Sequence, residues 1–231
     1  VDYDVVSFDL DGTLVDTAGE IAEAANRALD ARGIARRSVA EITELIGGGL
    51  RELMLRLMAR IYLAQPALAD RVPIDDMLTS IQLHYAAVVG SQAKPYRGAA
   101  QALWRLKTAG VRLACVTNKE SVHARRVLIA AGLLQFFDLV IGGDSLPHKK
   151  PHASVLRHVV QTLGADARRA AHVGDSAIDI EAANQAGVAA WAVPYGYNAG
   201  QPIAQAKPKR IFAQLNDVAD YVLGPRWRHA A

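Results

Sequence analysis

Val5-Val6-Ser7-Phe8-Asp9-Leu10-Asp11-Gly12-Thr13-Leu14-Val15-Asp16 is the stretch on which the reading of this chain depends. Its apolar, β-branched start reads as a strand, and the run stops at Asp9. Asp9 and Asp11 then flank a single leucine, and Gly12 follows with the backbone freedom a tight turn needs. Acid groups are thereby set at the carboxyl end of a strand. In an open α/β sheet that end opens into the crevice where ligands bind, because the loops diverge there. Carboxylates this close repel each other unless a cation compensates, and a hard divalent ion such as Mg2+ is the simplest neutraliser. The plain alternative is a turn in which the aspartates serve only as turn formers or helix caps.

Beyond Asp16 the period changes from strand to helix. Thr17-Ala18-Gly19-Glu20 and Ser38-Val39-Ala40-Glu41 both have capping-box spacing, the second opening a short helix that ends near Ile46. After Gly47-Gly48-Gly49, the residues Leu50, Leu53, Met54, Leu57, Met58 and Ile61 recur at three and four, an amphipathic helix. Another helix is expected over about Ile74 to Val89. Residues 17–94 thus read as a helical insert, and the chain returns to its core at Pro95. From there strand and helix alternate, with Gly110, Gly132 and Gly187 at the helix ends. Such alternation predicts a parallel sheet with helices on both faces, so the expected domains are a core of 1–16 plus 95–231 and a helical insert of 17–94.

If the first motif is a site, later strand ends should contribute to it. The strand at 111–117 ends in Thr117-Asn118, where a hydroxyl and the next backbone N–H can donate to phosphate oxygens beside a helix N-terminus. Both residues are also common helix caps. Lys149-Lys150-Pro151 holds an ammonium before a proline, on backbone biased to be extended. Val173-Gly174-Asp175-Ser176-Ala177-Ile178-Asp179 ends another strand in a carboxylate, with a second one four residues on.

D-x-D-G-T-L-x-D-T, beginning at Asp9, resembles the haloacid-dehalogenase superfamily of phosphatases, and the later strand ends fall in that family's order. The resemblance spans essentially the whole chain and implies a Rossmann-like α/β core with an inserted all-helical cap. It implies Asp9 as nucleophile and Asp11 as acid/base, with an aspartyl-phosphate intermediate. Thr117, Asn118 and Lys150 are implied to hold the phosphoryl group, and Mg2+ is implied on Asp9, the Asp11 carbonyl and Asp175. The family pattern K-P-x-P selects Lys150 over Lys149, although Ala153 stands where the second proline belongs. Asp179 is expected to orient its neighbours. The cap is expected to close over the phosphate site, with the Gly47–Gly49 loop near the substrate and Arg51 either meeting a carboxylate or simply exposed.

Residues 142–152 and Tyr195-Gly196-Tyr197-Asn198 are similar to the bacterial phosphoglycolate phosphatases within that superfamily, which implies 2-phosphoglycolate as the ester. A sugar-phosphate phosphatase or phosphomutase of the same architecture stays open. A phosphoacceptor signalling domain would use the same residue types, but with a shorter chain and an adjacent acidic pair. Neither G-x-G-x-x-G nor a P-loop motif is present, which disfavours a nucleotide-binding module.

Composition agrees with an ordinary globular protein: 231 residues, 51% hydrophobic and 21% charged. The net charge of +3 is scattered rather than gathered into a tract, so a small anionic ligand is expected and nucleic acid is not. The lone Cys115 sits inside an apolar run and reads as a core residue in a reducing cytoplasm. No apolar run approaches the ~18 residues of a membrane span, so no membrane partner is expected. The seven histidines form no zinc pattern. The end of the chain, Gly224 to Ala231, is expected to be a weakly ordered tail.

Overall fold

The structure, a computed structural model, describes residues 2–224. Among these, β1 (Val5–Phe8) leads through β2 (Val15–Asp16) into five helices: α1 (Ala18–Asp30), α2 (Val39–Thr43), α3 (Leu50–Ala64), α4 (Ala67–Arg71) and α5 (Ile74–Val88). The chain returns through β3 (Lys94–Pro95), which pairs antiparallel with β2. Helix and strand then alternate as α6 (Ala99–Thr108), β4 (Arg112–Val116), α7 (Ser121–Ala130), β5 (Leu139–Ile141), α8 (Ser154–Thr162), β6 (Ala170–Gly174), α9 (Ala177–Ala186) and β7 (Ala189–Ala192). A last strand, β8 (Arg210–Ile211), and helix α10 (Leu215–Leu223) complete the described chain.

The main sheet runs β5-β4-β1-β6-β7-β8, with every pairing parallel. β1 sits inside it and is buried on both faces, which is why its sequence is almost continuously apolar. Successive side chains go to opposite faces. Val6 and Phe8 join Leu113, Cys115 and the apolar stripes of α6 and α10, while Val5 joins Ala114, Val116 and the inner faces of α8 and α9.

The helices between β2 and β3 pack mainly through α1 on α5. Ala24, Ala25 and Ala28 keep the α1 surface flat, so Met77, Ile81 and Tyr85 of α5 approach closely, and Leu53, Met54, Leu57 and Met58 of α3 fill the remaining space. Each large apolar side chain buried in this way contributes about 1.5–3 kcal/mol.

Several expectations change. Ser38 and Glu41 form their capping box, but the helix it opens ends at Thr43 rather than near Ile46. Thr17 and Glu20 form none. Both are buried, and their polar atoms have other partners: Thr17 Oγ1 donates to Asp11 Oδ1 at 2.6 Å, and Glu20 accepts from Tyr85 Oη at 3.0 Å and the Gly90 N–H at 2.9 Å. β3, β8 and α10 were not expected. β3 and β8 are two-residue strands too short to show a period, whereas α10 has a readable stripe in Leu215, Val218, Ala219 and Val222. The expected tail, apart from Gly224, lies outside the described residues.

Candidate active site

The sheet register decides what meets at its carboxyl edge. Phe8 of β1 is level with Cys115 on one side and Val173 on the other. Asp9, Thr117-Asn118 and Asp175 therefore leave neighbouring strands at the same edge, and the loop between β5 and α8 brings Lys150 to them. Lys150 Nζ lies 2.8 Å from Asp9 Oδ1 and 2.7 Å from Asp179 Oδ1, and it also donates to the Val116 carbonyl at 2.7 Å. Its neighbour Lys149 turns outward to the Gly48 carbonyl, whereas Lys150 is 3% exposed and faces Asp9.

Backbone conformation makes room for these groups. Gly12 has φ +88°, and a Cβ there would collide with the Asp175 carboxylate. Asp175 is held by Thr13 Oγ1 at 2.8 Å and by the Tyr197 N–H at 2.6 Å. Tyr197 Oη donates to Asp16 Oδ1 at 2.6 Å and accepts the Thr17 N–H at 2.9 Å, while Tyr195 Oη donates to the Thr13 carbonyl at 2.9 Å. The Tyr195–Asn198 segment thus braces the turn after β1.

Charge is unevenly distributed. Burial works against ionised Asp179, but Lys150 and then His172 overcome it and hold this carboxyl far below its usual range. Lys150 is buried too, yet Asp179 and Asp9 keep it protonated above the ordinary lysine value. His172 Nε2 lies 3.2 Å from Asp179 Oδ1 and Nδ1 lies 2.9 Å from Ser7 Oγ, and burial lowers its pKa, so the ring is neutral and fixes Asp179 by a hydrogen bond.

Asp179 has first claim on the ammonium, and the consequence falls on the other acids. Burial pushes Asp9 up to about 7, with Lys150 only partly offsetting it and Asp179 and Asp11 adding to it. Burial, then Asp9 and Asp179, raise Asp175 well above the usual carboxylate range. Without a cation the residues alone leave Asp9 only partly ionised at neutral pH, because desolvation outweighs one shared lysine. Carboxylate oxygens of Asp9, Asp175 and Asp179 lie within 4.8 Å of one another. Asp179 is occupied by Lys150, His172 and Ser176. That leaves Asp9 and Asp175 as a hard oxygen pair short of positive charge, a donor set that fits a divalent cation.

The sequence did not point to Lys119, although it directly follows Thr117-Asn118. It is 4% exposed, with Nζ 3.2 Å from Asp11 Oδ1 and 2.5 Å from Tyr85 Oη. A lysine immediately after a strand-end Thr-Asn pair was the available signal. The Thr117 hydroxyl accepts the Lys119 N–H at 3.2 Å, which leaves its own proton to donate. The Asn118 side-chain amide donates to the Gly47 carbonyl at 3.0 Å and the Lys150 carbonyl at 2.9 Å, tying the glycine loop to the lysine loop.

Asp9, Asp11, Thr117, Asn118 and Lys119 line the floor of a partly open cavity of about 30 Å³. Its roof comes from the helical segment, through Ile21, Ile46, Leu50, Leu53 and the backbone of Gly47 and Gly49. Gly49 is needed for close approach: φ is +88°, and a Cβ would come within 2.8 Å of the Asn118 carbonyl. Arg51 is exposed and lines a neighbouring cavity with Glu120 and Asp144, away from Asp9 and Asp11.

Buried acids, two buried ammonium groups and a strand-end hydroxyl at the carboxyl edge of a doubly wound sheet define an α/β enzyme site for a small anion, roofed by helices. The chain belongs to the haloacid dehalogenase-like hydrolases, whose profile matches residues 3–187. Among curated proteins it is similar to the phosphoglycolate phosphatase of Colwellia psychrerythraea, 35% identical over 93% of this chain and 95% of that one. It is also similar to the plasmid-encoded phosphoglycolate phosphatase of Cupriavidus necator, 39% identical over 83% of this chain and 81% of that one. Among solved structures, a predicted phosphoglycolate phosphatase from Haemophilus somnus superposes with a TM-score of 0.86 at 30% identity, covering 96% of this chain and 98% of the other. No helix among the described residues is long and apolar enough to cross a membrane.

Proposed function

We propose that this chain hydrolyses phosphomonoesters through an aspartyl-phosphate on Asp9, with 2-phosphoglycolate as substrate. The observation that carries the reading is the Lys150 ammonium, 2.8 Å from Asp9 and 2.7 Å from Asp179, at the strand edge that also holds Asp11 and Asp175. The relatives' names support the choice of ester. Residues 1–16 and 95–231 act as the catalytic core, and 17–94 as a helical cap joined to it through the β2–β3 pair.

In the first step an Asp9 carboxylate oxygen attacks phosphorus and the bond from phosphorus to the glycolate oxygen breaks. The Asp11 carboxyl gives its proton to that departing oxygen. In the second step Asp11, now a carboxylate, takes a proton from water as the water attacks the acyl phosphate. Inorganic phosphate leaves, and Asp9 is regenerated. Lys150 and the Thr117 hydroxyl stabilise the charge on the transferring oxygens. Asp9, Asp175 and the Asp11 carbonyl would hold Mg2+, which supplies positive charge to the two buried acids and to the phosphoryl oxygens. The apolar roof excludes water, which strengthens each of these interactions.

A phosphate-release screen over small esters, run with Mg2+ and with EDTA, tests the reading. The expected result is Mg2+-dependent turnover with the highest kcat/KM on 2-phosphoglycolate. A sugar phosphate preferred over it would overturn the substrate, and turnover unaffected by EDTA would overturn the metal.

A further inference from the structure

We propose that the Lys119 ammonium meets the substrate's carboxylate, making Lys119 a specificity-determining residue that selects phosphorylated 2-hydroxy acids; this rests on the phosphomonoester reading above. In such an ester the carboxylate carbon is bonded to the carbon that bears the ester oxygen. Asp11 serves that oxygen as proton donor, so the carboxylate must lie within a few ångströms of Asp11. A carboxylate drawn beneath the helices beside Asp11 needs a charged partner, because burial strips it of water.

Lys119 is placed for that partnership. Its Nζ is 3.2 Å from Asp11 Oδ1, and it lines the same cavity as Asp9 and Asp11. An ammonium has three donors. Asp11 and Tyr85 Oη take two, which leaves one for a substrate oxygen. Tyr85 in turn donates to Glu20, and Glu20 is anchored by the N–H groups of Gly90 and Gln92. The charge is therefore fixed in place from the cap side, although Lys119 belongs to the core.

The other cations are excluded by position. Arg51 lines the neighbouring cavity, and Lys149 is engaged with Gly48 and Glu52. Lys150 is divided between Asp9 and Asp179. The wall facing the acids is apolar, with Ile21, Leu50 and Leu53. Among the described residues Lys119 is thus the cation that lines this cavity. A neutral polyol ester would leave its third donor unpaired against that wall, so both charge and size favour a short acid.

The test compares kcat/KM for 2-phosphoglycolate with that for its uncharged near-isostere, carbamoylmethyl phosphate, in the wild type, Lys119→Met and Lys119→Arg. The wild type is expected to prefer the acid by roughly 10- to 100-fold, the range of a charge-assisted hydrogen bond. Lys119→Met should bring the ratio close to one whatever its absolute rates, and Lys119→Arg should retain part of the preference. Equal loss on both esters in Lys119→Met, with the ratio intact, overturns the inference while leaving the phosphatase reading standing, since Lys119 would then act only on Asp11. Turnover of other phosphate esters but of neither test ester fails the substrate reading and the inference with it. If Lys119→Met does not fold by circular dichroism, product inhibition of the wild type decides. Glycolate must inhibit about tenfold or more better than glycolamide, and equal inhibition overturns the proposal.

Discussion

The edge of the sheet and the helices above it are built on opposite principles. At the sheet edge, polar groups from distant parts of the chain are buried and paired, with Lys150 between Asp9 and Asp179, Thr13 on Asp175 and His172 on Asp179. In the helical segment, α1, α3 and α5 are held by Leu, Met, Ile and Ala packing, and most ion pairs, such as Arg36 with Glu23 and Asp30, are exposed. The first arrangement fixes atoms to within hydrogen-bond tolerance at the cost of desolvation; the second is non-directional and tolerates sliding. Polar links join the two regions at several points, among them Asn118 to Gly47, Lys119 to Tyr85, Lys149 to Gly48 and Arg126 to Ala86. The acids and ammonium groups thus stand on the hydrogen-bonded sheet edge, and apolar helix packing forms the roof above them.

The sharpest way to break this contrast is Asp9→Asn. It keeps the shape and removes the nucleophile, so kcat for phosphate release should fall by at least about 10⁴-fold with an unchanged near-UV circular dichroism spectrum. Retained turnover would remove Asp9 from its role.

Next comes Lys150→Met, which strands two buried carboxylates. Urea unfolding should register a loss of about 3–5 kcal/mol, as for other broken buried pairs. A loss below about 1 kcal/mol would mean that the pair behaves as a surface one.

Chelation sharpens the difference further. Burial raises Asp9 to about 7 and raises Asp175 as well. Between about pH 4 and 7 the folded chain then binds protons that the unfolded chain has released, so the stabilising contribution is complete below the unfolded pKa and lost as pH rises through the folded one. In EDTA, Tm should decline across that window, and added Mg2+ should restore it most at the neutral end. A metal-free Tm that climbs steadily across the same window contradicts the charge imbalance at the sheet edge.

The smallest effect belongs to the helical side. Ser38→Ala removes an exposed capping box and should cost about 1 kcal/mol while kcat/KM stays unchanged. A marked fall in kcat/KM would show that α2 is coupled to the site.

Legibility in the sequence followed the range of the interactions. The β1 turn, the strand ends at Thr117 and Asp175 and the glycine stops at Gly110, Gly132 and Gly187 were all readable, because each is written in a few adjacent residues. Ser38 to Glu41 was readable for the same reason. Thr17 to Glu20 has identical spacing but forms no capping box, and nothing local reveals that Glu20 is buried against Tyr85, far along the chain. Lys119 is not legible in the sequence because a lysine after a strand is usually solvated, and only the arrival of α5 above it closes off the water. The strand β8 was too short to carry a period, while α10 could have been found from its apolar stripe.

By itself, the sequence determined the alternation of strands and helices, the helical interruption after the first strand, and the residue types delivered to each strand end, because backbone preference and hydrophobic period are local properties. Tertiary structure alone decided which acid holds the ammonium, which acids are left short of charge, and that Lys119 and Asn118 turn inward beneath the helices. Desolvation and pairing depend on what surrounds a group in space, and for Asp9, Lys150 and Asp179 those surroundings come from segments far apart in the chain.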